Sequence, residues 1–393
     1  MARLSARGLG VIALAVLAAC SAPAQSRPAA ASAPSPALTP VVAPVKAEPP
    51  PAPVRAAPTR PAHLWPFTRL QDADYVSVDD LAKHYGLKTA WARLGLERTL
   101  SDAHGARFTF ETKRRDCFLD GVRVFLGAPV EFHLGELWVS KLDVIKTIDP
   151  LFRPEDHLAL LPPGPPKLIV IDAGHGGADP GKQNLRLKLN EKDLTLDVVL
   201  RLKKLLEQRG YAVQLTRGDD TKLAADQRTD LERRANTANV AGADLFLSVH
   251  FNAVEPRDAP RVTGSETYVL TPQYQLSSTD NNGDALTKTS FPGNKQDAAN
   301  VVLGYQLHRA LLAGLKTSDR GFKRGRLRVL CFPACPAALL EAAYLSNDAE
   351  AARLATPEFR AQIAEAIASG VQAYSTQLAG LRPAPTPEAG KAK

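Results

Sequence analysis

Four residues between positions 167 and 376 of this 393-residue chain have the types that carry out hydrolysis: His175, Glu191, His250 and Glu341. His175 follows the apolar run Leu168 to Ile171, which reads as a short buried strand, and lies in Asp172-Ala-Gly-His-Gly-Gly177. Glycines there let the backbone turn sharply and come close to whatever the imidazole holds. His250 ends the strand-like run Asp244-Leu-Phe-Leu-Ser-Val249, and Glu341 follows Ala337-Ala-Leu-Leu340. Glu191 opens a helix 16 residues after His175. Two imidazoles and a carboxylate can fill three positions of one zinc ion and leave the fourth for water. The ion lowers the pKa of that water toward about 7, and a carboxylate outside the ligand set can take and return the proton.

Each residue alone has a plainer reading. The glycine loop could cradle phosphate, or be a turn with an incidental histidine. Glu191 at a helix start favours the helix dipole, and His250 after an apolar strand could be a core histidine. Glu341 is harder to set aside, because an unpaired carboxylate behind four apolar residues is costly to bury. All four at strand or helix ends of one region favour a site.

The elements that would position them alternate. A helix is expected over 191–209, with Leu194, Val198, Leu202 and Leu205 at helical spacing and Gly210 just past its end. Strands are expected at 211–216, 244–250, 267–270, 327–330 and 337–340. Helices are expected at 226–241, 297–316 and 357–376. The fold class is therefore α/β: a mostly parallel sheet with helices on both faces, where ligands gather beyond the carboxyl ends of strands. Residues 271–297 form a long polar connection, either a gate or substrate rim or an ordinary surface loop.

The N-terminal part is different. Arg3 and Arg7, an apolar run from Leu9 to Ala19, then Cys20 read as an export signal over residues 1–19. Leu17-Ala-Ala-Cys20 resembles a bacterial lipobox, which implies a lipidated Cys20 and membrane anchoring by that end; an ordinary secretory signal cut near Ala24 is the alternative. Loss of two arginines with residues 1–19 lowers the formal charge from +8 to +6. That mild excess suits an anionic envelope, and no basic stripe interleaved with aromatics points to nucleic acid. Thirteen of the 31 prolines fall between Pro23 and Pro66, so residues 20–66 cannot bury a core and read as a linker.

Residues 70–150 read as a small α+β module. It holds a strand at 75–78, a helix from an Asp79 cap to Tyr85, strands around an Asp120-Gly121 turn, and a closing helix at 143–148. Its pattern is similar to the small domain named after the N-terminus of copper amine oxidases, which implies a binding or spacing role. His84, His104 and His133 are scattered and read as surface or satisfied histidines rather than metal ligands. Cys331 and Cys335 could close a small loop in an oxidising compartment or be small buried residues. The tail 377–393 reads as disordered.

Five ordered stretches carry a closer resemblance. Ile169-Val-Ile-Asp-Ala-Gly-His-Gly-Gly-Ala-Asp-Pro-Gly181 is followed by Asn190-Glu-Lys-Asp193 and Leu231-Glu-Arg-Arg-Ala-Asn-Thr-Ala-Asn239. Phe246-Leu-Ser-Val-His-Phe-Asn-Ala253 and Leu340-Glu-Ala-Ala-Tyr-Leu-Ser-Asn347 complete the set. Residues 167–376 thus resemble the zinc-dependent N-acetylmuramoyl-L-alanine amidases. The resemblance implies one Zn2+ held by His175, Glu191 and His250, with Glu341 as catalytic carboxylate. It implies cleavage of the amide between the lactyl group of N-acetylmuramic acid and L-alanine in peptidoglycan, during wall remodelling or cell separation. Arg234 and Asn252 match motif positions and are expected to be structural. One departure is Ala343, where the family usually has glycine.

The expected protein is an exported lipoprotein of the periplasm or cell envelope, acting on peptidoglycan, with a protein activator as a further expected partner. The alternatives are another exported zinc amide hydrolase, such as a peptidase, or a non-catalytic wall-binding protein of the same fold.

Overall fold

The computed structural model describes residues 65–381, apart from 281, 282, 284 and 285. The expected signal over 1–19, the lipidation site Cys20, the linker up to residue 64 and the tail residues beyond 381 lie outside the described residues, whereas residues 377–380, expected in the disordered tail, continue the last helix.

The N-terminal module begins with β1 (Thr68–Leu70) and β2 (Ala73–Ser77), then α1 (Val78–Tyr85). Ser77 caps α1, its Oγ accepting from the Asp80 N–H at 3.0 Å; the expected cap, Asp79, already lies inside the first turn. β3 (Lys88–Arg93), β4 (Glu97–Asp102) and β5 (Gly105–Glu111) form a meander with β6 (Asp116–Leu119) and β7 (Val122–Phe125). Asp120 and Gly121 link β6 to β7 with φ of 49° and 78°, the positive pair a two-residue hairpin turn requires. β8 (Glu131–His133) and β9 (Glu136–Ser140) pair with each other, and β9 with β2. A helical stretch closes the module: α2 (Lys141–Asp143), a π-helical turn at Val144–Ile148, and α3 (Asp149–Phe152).

The C-terminal part runs β10 (Leu168–Ala173), the hairpin β11 (Gln183–Asn184) and β12 (Leu189–Asn190), α4 (Glu191–Gln208) and β13 (Ala212–Leu215). It continues through α5 (Gln227–Ala241), β14 (Leu245–Asn252), β15 (Ser265–Leu270) and α6 (Asp297–Leu315). Then come β16 (Asp319–Gly325), α7 (Arg328–Cys331), β17 (Ala337–Tyr344), α8 (Asp348–Leu354) and α9 (Pro357–Gly380). Residues 327–330, expected as a strand, start a helical turn instead. The strand slot is taken by β16, whose sequence Asp-Arg-Gly-Phe-Lys-Arg-Gly conceals it.

Eleven strands share one sheet in the order β13-β10-β14-β17-β15-β16-β7-β6-β5-β4-β3. From β13 to β16 it is parallel except for the β15–β17 pair. β16 then pairs with β7, so the module's meander continues the same sheet. Residue alternation sorts the two faces. Ile169, Ile171, Leu247 and Leu340 join the large core with α4, α6 and α9, whereas Val170, Phe246 and Leu339 join a second cluster with residues of α5 and α7. The large core also contains Val76, Phe108 and Val124 of the module, so one apolar interior spans both parts.

The seam between β7 and β16 is close. Gly321 has φ of +105°, and a Cβ there would lie 2.5 Å from Cε2 of Phe125. Gly321→Ala is expected to lower unfolding free energy by about 2 kcal/mol, through backbone strain and overpacking. Urea unfolding measures this, and an unchanged midpoint would rule out the close approach.

Candidate metal centre and active site

The parallel strands β10 and β14 and the start of α4 bring three expected residues together. Nitrogen or oxygen atoms of His175, Glu191 and His250 all lie within 4.8 Å of one another. Glu191 is 2% exposed and stands between the rings: Oε2 is 3.0 Å from His175 Nε2, and Oε1 is 2.9 Å from His250 Nδ1. Backbone N–H groups of Lys182 and Phe251 donate to the same carboxylate at 2.8 and 3.1 Å. The loop after β10 makes room for this crowding. A Cβ on Gly181 would lie 2.6 Å from His175 Cδ2 and 2.7 Å from Glu191 Oε2.

His175 itself has φ of +64°, an unfavourable conformation for a residue with a Cβ. Buried cations hold it there. Arg234 is 1% exposed and donates to the carbonyls of His175 and Ala173, each at 2.7 Å, and to Asp172 at 2.9 Å. Arg217 donates to the carbonyls of Ala173 and Gly174, both at 2.9 Å. Asp172 in turn accepts from Ser248 and Thr216 at 2.7 and 2.6 Å. Strain at a site persists where its surroundings over-determine it, and here three successive carbonyls are claimed.

Burial opposes charge on His175, but the Glu191 carboxylate and the bond to Asp179 outweigh it and raise the ring to about 10. Burial would raise Glu191; the two histidines overcome that and hold it well below the usual carboxylate range. A carboxylate facing two ring nitrogens is a protonated cluster or a cation site. The donor set fits zinc: two imidazoles and one carboxylate. Asp179, 3.0 Å from His175 Nδ1, fixes that nitrogen and leaves Nε2 for an ion, as outer partners of metal-binding histidines do.

Glu341 stands beside this cluster, its Cα paired with that of His250 across β14 and β17. It lies within β17 rather than at the strand's end. The residue is 6% exposed and its Oε2 is buried with no hydrogen-bond partner. Burial pushes its carboxyl well above the usual range, and the charges of Glu191 and Glu266 add to this. Glu266 is Glu341's direct partner across the antiparallel β15–β17 pair. It remains ionised among Lys323 (2.9 Å), Tyr268 (2.7 Å) and Tyr344, which donate to it.

The cleft around these groups is lined further by Lys182, Asn252, Leu231, Leu327, Arg328, Val329 and Leu339. Past Lys182 and Ala253 lies a groove of about 670 Å³, bounded by residues 182–186, 253–260 and 346–349. None of the described residues of 271–297 lines the cleft. That connection is held elsewhere, by Arg115 and Arg326. Residues 327–329 form the wall instead. Cys335 is a free buried thiol, so no bond joins it to Cys331; both pack in the smaller apolar cluster.

Residues 169–373 match the Amidase_3 family model, described as N-acetylmuramoyl-L-alanine amidase. The chain belongs to this family.

Among its relatives, the amidase AmiC of Neisseria meningitidis serogroup B is 32% identical over 228 residues, covering 53% of this chain and 52% of the relative. The amidase LytC of Bacillus subtilis is 32% identical over 206 residues, covering 52% and 35%. The endolysin of Bacillus phage SPP1 is 36% identical over 206 residues, covering 52% and 65%. The chain thus spans about a third to about two thirds of these relatives' lengths. The solved catalytic domain of the amidase CwlV from Bacillus (Paenibacillus) polymyxa var. colistinus is 29% identical with a TM-score of 0.43, covering 54% of this chain and 99% of that one. The Amidase_3 match starts in β10 and ends in α9, so the module lies outside it.

Sequence reading named His175, Glu191, His250 and Glu341, and the structure brings all four together. It passed over Asp179, whose signal was its place four residues after His175 in the same loop. Arg217, Glu266 and Lys323 had no motif of their own; their burial is the only mark.

An ion entering this cluster must displace the His175 proton, which is held to about pH 10. Apparent zinc affinity should therefore rise about tenfold per pH unit between pH 6 and 8, and fall as pH falls. Chelator competition reads this directly. Glu191→Ala should weaken binding more than about a hundredfold, because the shared ligand is gone.

Proposed function

We propose that this chain is a zinc-dependent N-acetylmuramoyl-L-alanine amidase that cleaves the lactyl–L-alanine amide of peptidoglycan. The observation that carries the reading is Glu191 between His175 and His250, with the unpartnered Glu341 carboxyl beside them in one cleft. Membership of the amidase family supports the choice of bond. The groove that shares Lys182 and Ala253 with the cleft gives space for a substrate larger than the cleft alone would hold.

His175, Glu191 and His250 would hold the ion. When bound, it supplies Lewis acidity and lowers the pKa of water toward about 7. Glu341 takes a proton from the attacking water and returns it to the departing amine of L-alanine. Its low exposure and the fixed negative charge of Glu266 raise its proton affinity, which suits a group that must carry a proton between two steps. Asn252 stands in the cleft and donates to Glu266 at 3.3 Å, linking the cleft to that charge.

The proposal includes export and anchoring through a lipidated Cys20, supported by the basic start, the apolar run and Leu17-Ala-Ala-Cys20. No helix among the described residues is long and apolar enough to cross a membrane.

Mass spectrometry of digested peptidoglycan tests the reaction. Free stem peptides beginning with L-alanine are expected. Cuts between amino acids would replace the amidase with a peptidase, and no release would leave a wall-binding protein. Glu341→Gln should keep zinc and lower kcat by about 10²-fold or more. Retention of most activity would remove Glu341 from its role.

A further inference from the structure

Residues 65–161 lie outside the family match, and none of them lines the cleft. They are nevertheless fastened to the chain that forms the cleft wall. That wall runs from the end of β16 through Leu327 and Arg328 to Val329.

Arg324, near the end of β16, is 1% exposed. Its Nη2 donates to the Lys146 carbonyl at 3.0 Å and to Thr147 Oγ1 at 2.9 Å, both in the module's π-helical turn. Its backbone N–H donates to Ser278 Oγ at 2.8 Å, and its carbonyl accepts from the Ser278 N–H at 2.9 Å.

The module grips the same turn of chain a second time. Arg115 donates to the Ser277 carbonyl at 2.9 Å and to that of Asp280. Gln275 Nε2 donates to Asp143 Oδ1 at 3.0 Å, and the fully buried Asp143 also accepts from the Gly127 N–H at 2.6 Å. A Cβ on Gly127 would lie 3.0 Å from Gln275 Cγ, so the two parts meet without space between them. This turn then holds the approach to the wall, because Arg326 donates to the Gln275 carbonyl at 2.7 Å. Arg324 and Leu327 are three residues apart, at most about 10 Å of chain.

We propose that Arg324 is a positioning residue for the reaction: by tying β16 to residues 146–147 it fixes where Leu327 and Arg328 stand, which makes the N-terminal module a structural part of the active cleft. The role in turnover rests on the amidase reading; the tie does not. Among the described residues no such bond joins the module to His175, Glu191 and His250, which sit in the loop after β10, at the start of α4 and on β14. The tie is also a costly way to gain stability. Nε and Nη1 of Arg324 are buried without partners, a cost that offsets part of what its two Nη2 bonds contribute.

Hydrogen exchange read by mass spectrometry tests this on the full zinc-loaded chain, comparing wild type with Arg324→Met and Thr147→Val. Thr147→Val keeps the shape and drops one acceptor, so it serves if Arg324→Met does not fold. Amides at residues 327–331 should exchange about tenfold faster in the variants, while β10 and β14 keep their protection. Zinc affinity should be unchanged, and KM for peptidoglycan should rise about threefold or more with kcat less affected. Unchanged exchange at 327–331 overturns the proposal. So does equal acceleration throughout the chain, which marks lost stability alone, and so does faster local exchange with unaltered KM and kcat. A wild type that releases no L-alanine peptides defeats the amidase reading, while the exchange result still decides the tie.

Discussion

A buried carboxylate shared by two imidazoles is the interaction on which this structure depends. Glu191, almost without access to water, cannot stand alone in an apolar interior. Its charge demands partners that can donate to it, and His175 and His250 meet that demand from the loop after β10 and from β14. To place them, β10 and β14 must run parallel and adjacent, and α4 must begin where β10 ends. The glycines after β10 and the arginines that seize its last carbonyls follow from the same requirement. Glu341 is placed by the next parallel strand, which sets it level with His250.

The two acids of β15 and β17 show how neighbouring positions can diverge. Glu266 and Glu341 face each other across one antiparallel pair, yet their surroundings are opposite. Lys323 and two tyrosine hydroxyls satisfy Glu266, and no described residue donates to Glu341 Oε2. One carboxyl is fixed as an ion and the other retains affinity for a proton, a separation typical of paired acids with different tasks.

Much of this was legible in the sequence for a physical reason. Strands buried on both faces must be apolar throughout, so β10, β14 and β17 stand out, and the polar residues beside them call for explanation. Helices such as α4 and α5 announce themselves by spacing and by Gly210 and Gly242 past their ends. β16 was not legible, since its Lys323 and Arg324 are buried through partners distant in sequence. β3 and β4 were hidden because Lys88, Arg93, Glu97 and Arg98 interrupt any alternation. Arg217 carried no sign because its role is made by three-dimensional neighbours alone. Continuity of the sheet through β7 and β16 was equally hidden, since a single pairing joins stretches about two hundred residues apart.

That continuity decides where the sheet stops. Without the module, β16 would present a bare row of N–H and C=O groups, the kind of margin on which foreign strands add and chains aggregate. The meander moves the margin to β3, where Lys88 and Arg93 are exposed. Charged side chains at such a border discourage edge-to-edge growth. The module thus gives β16 a neighbour and leaves a charged strand, β3, at that end of the sheet.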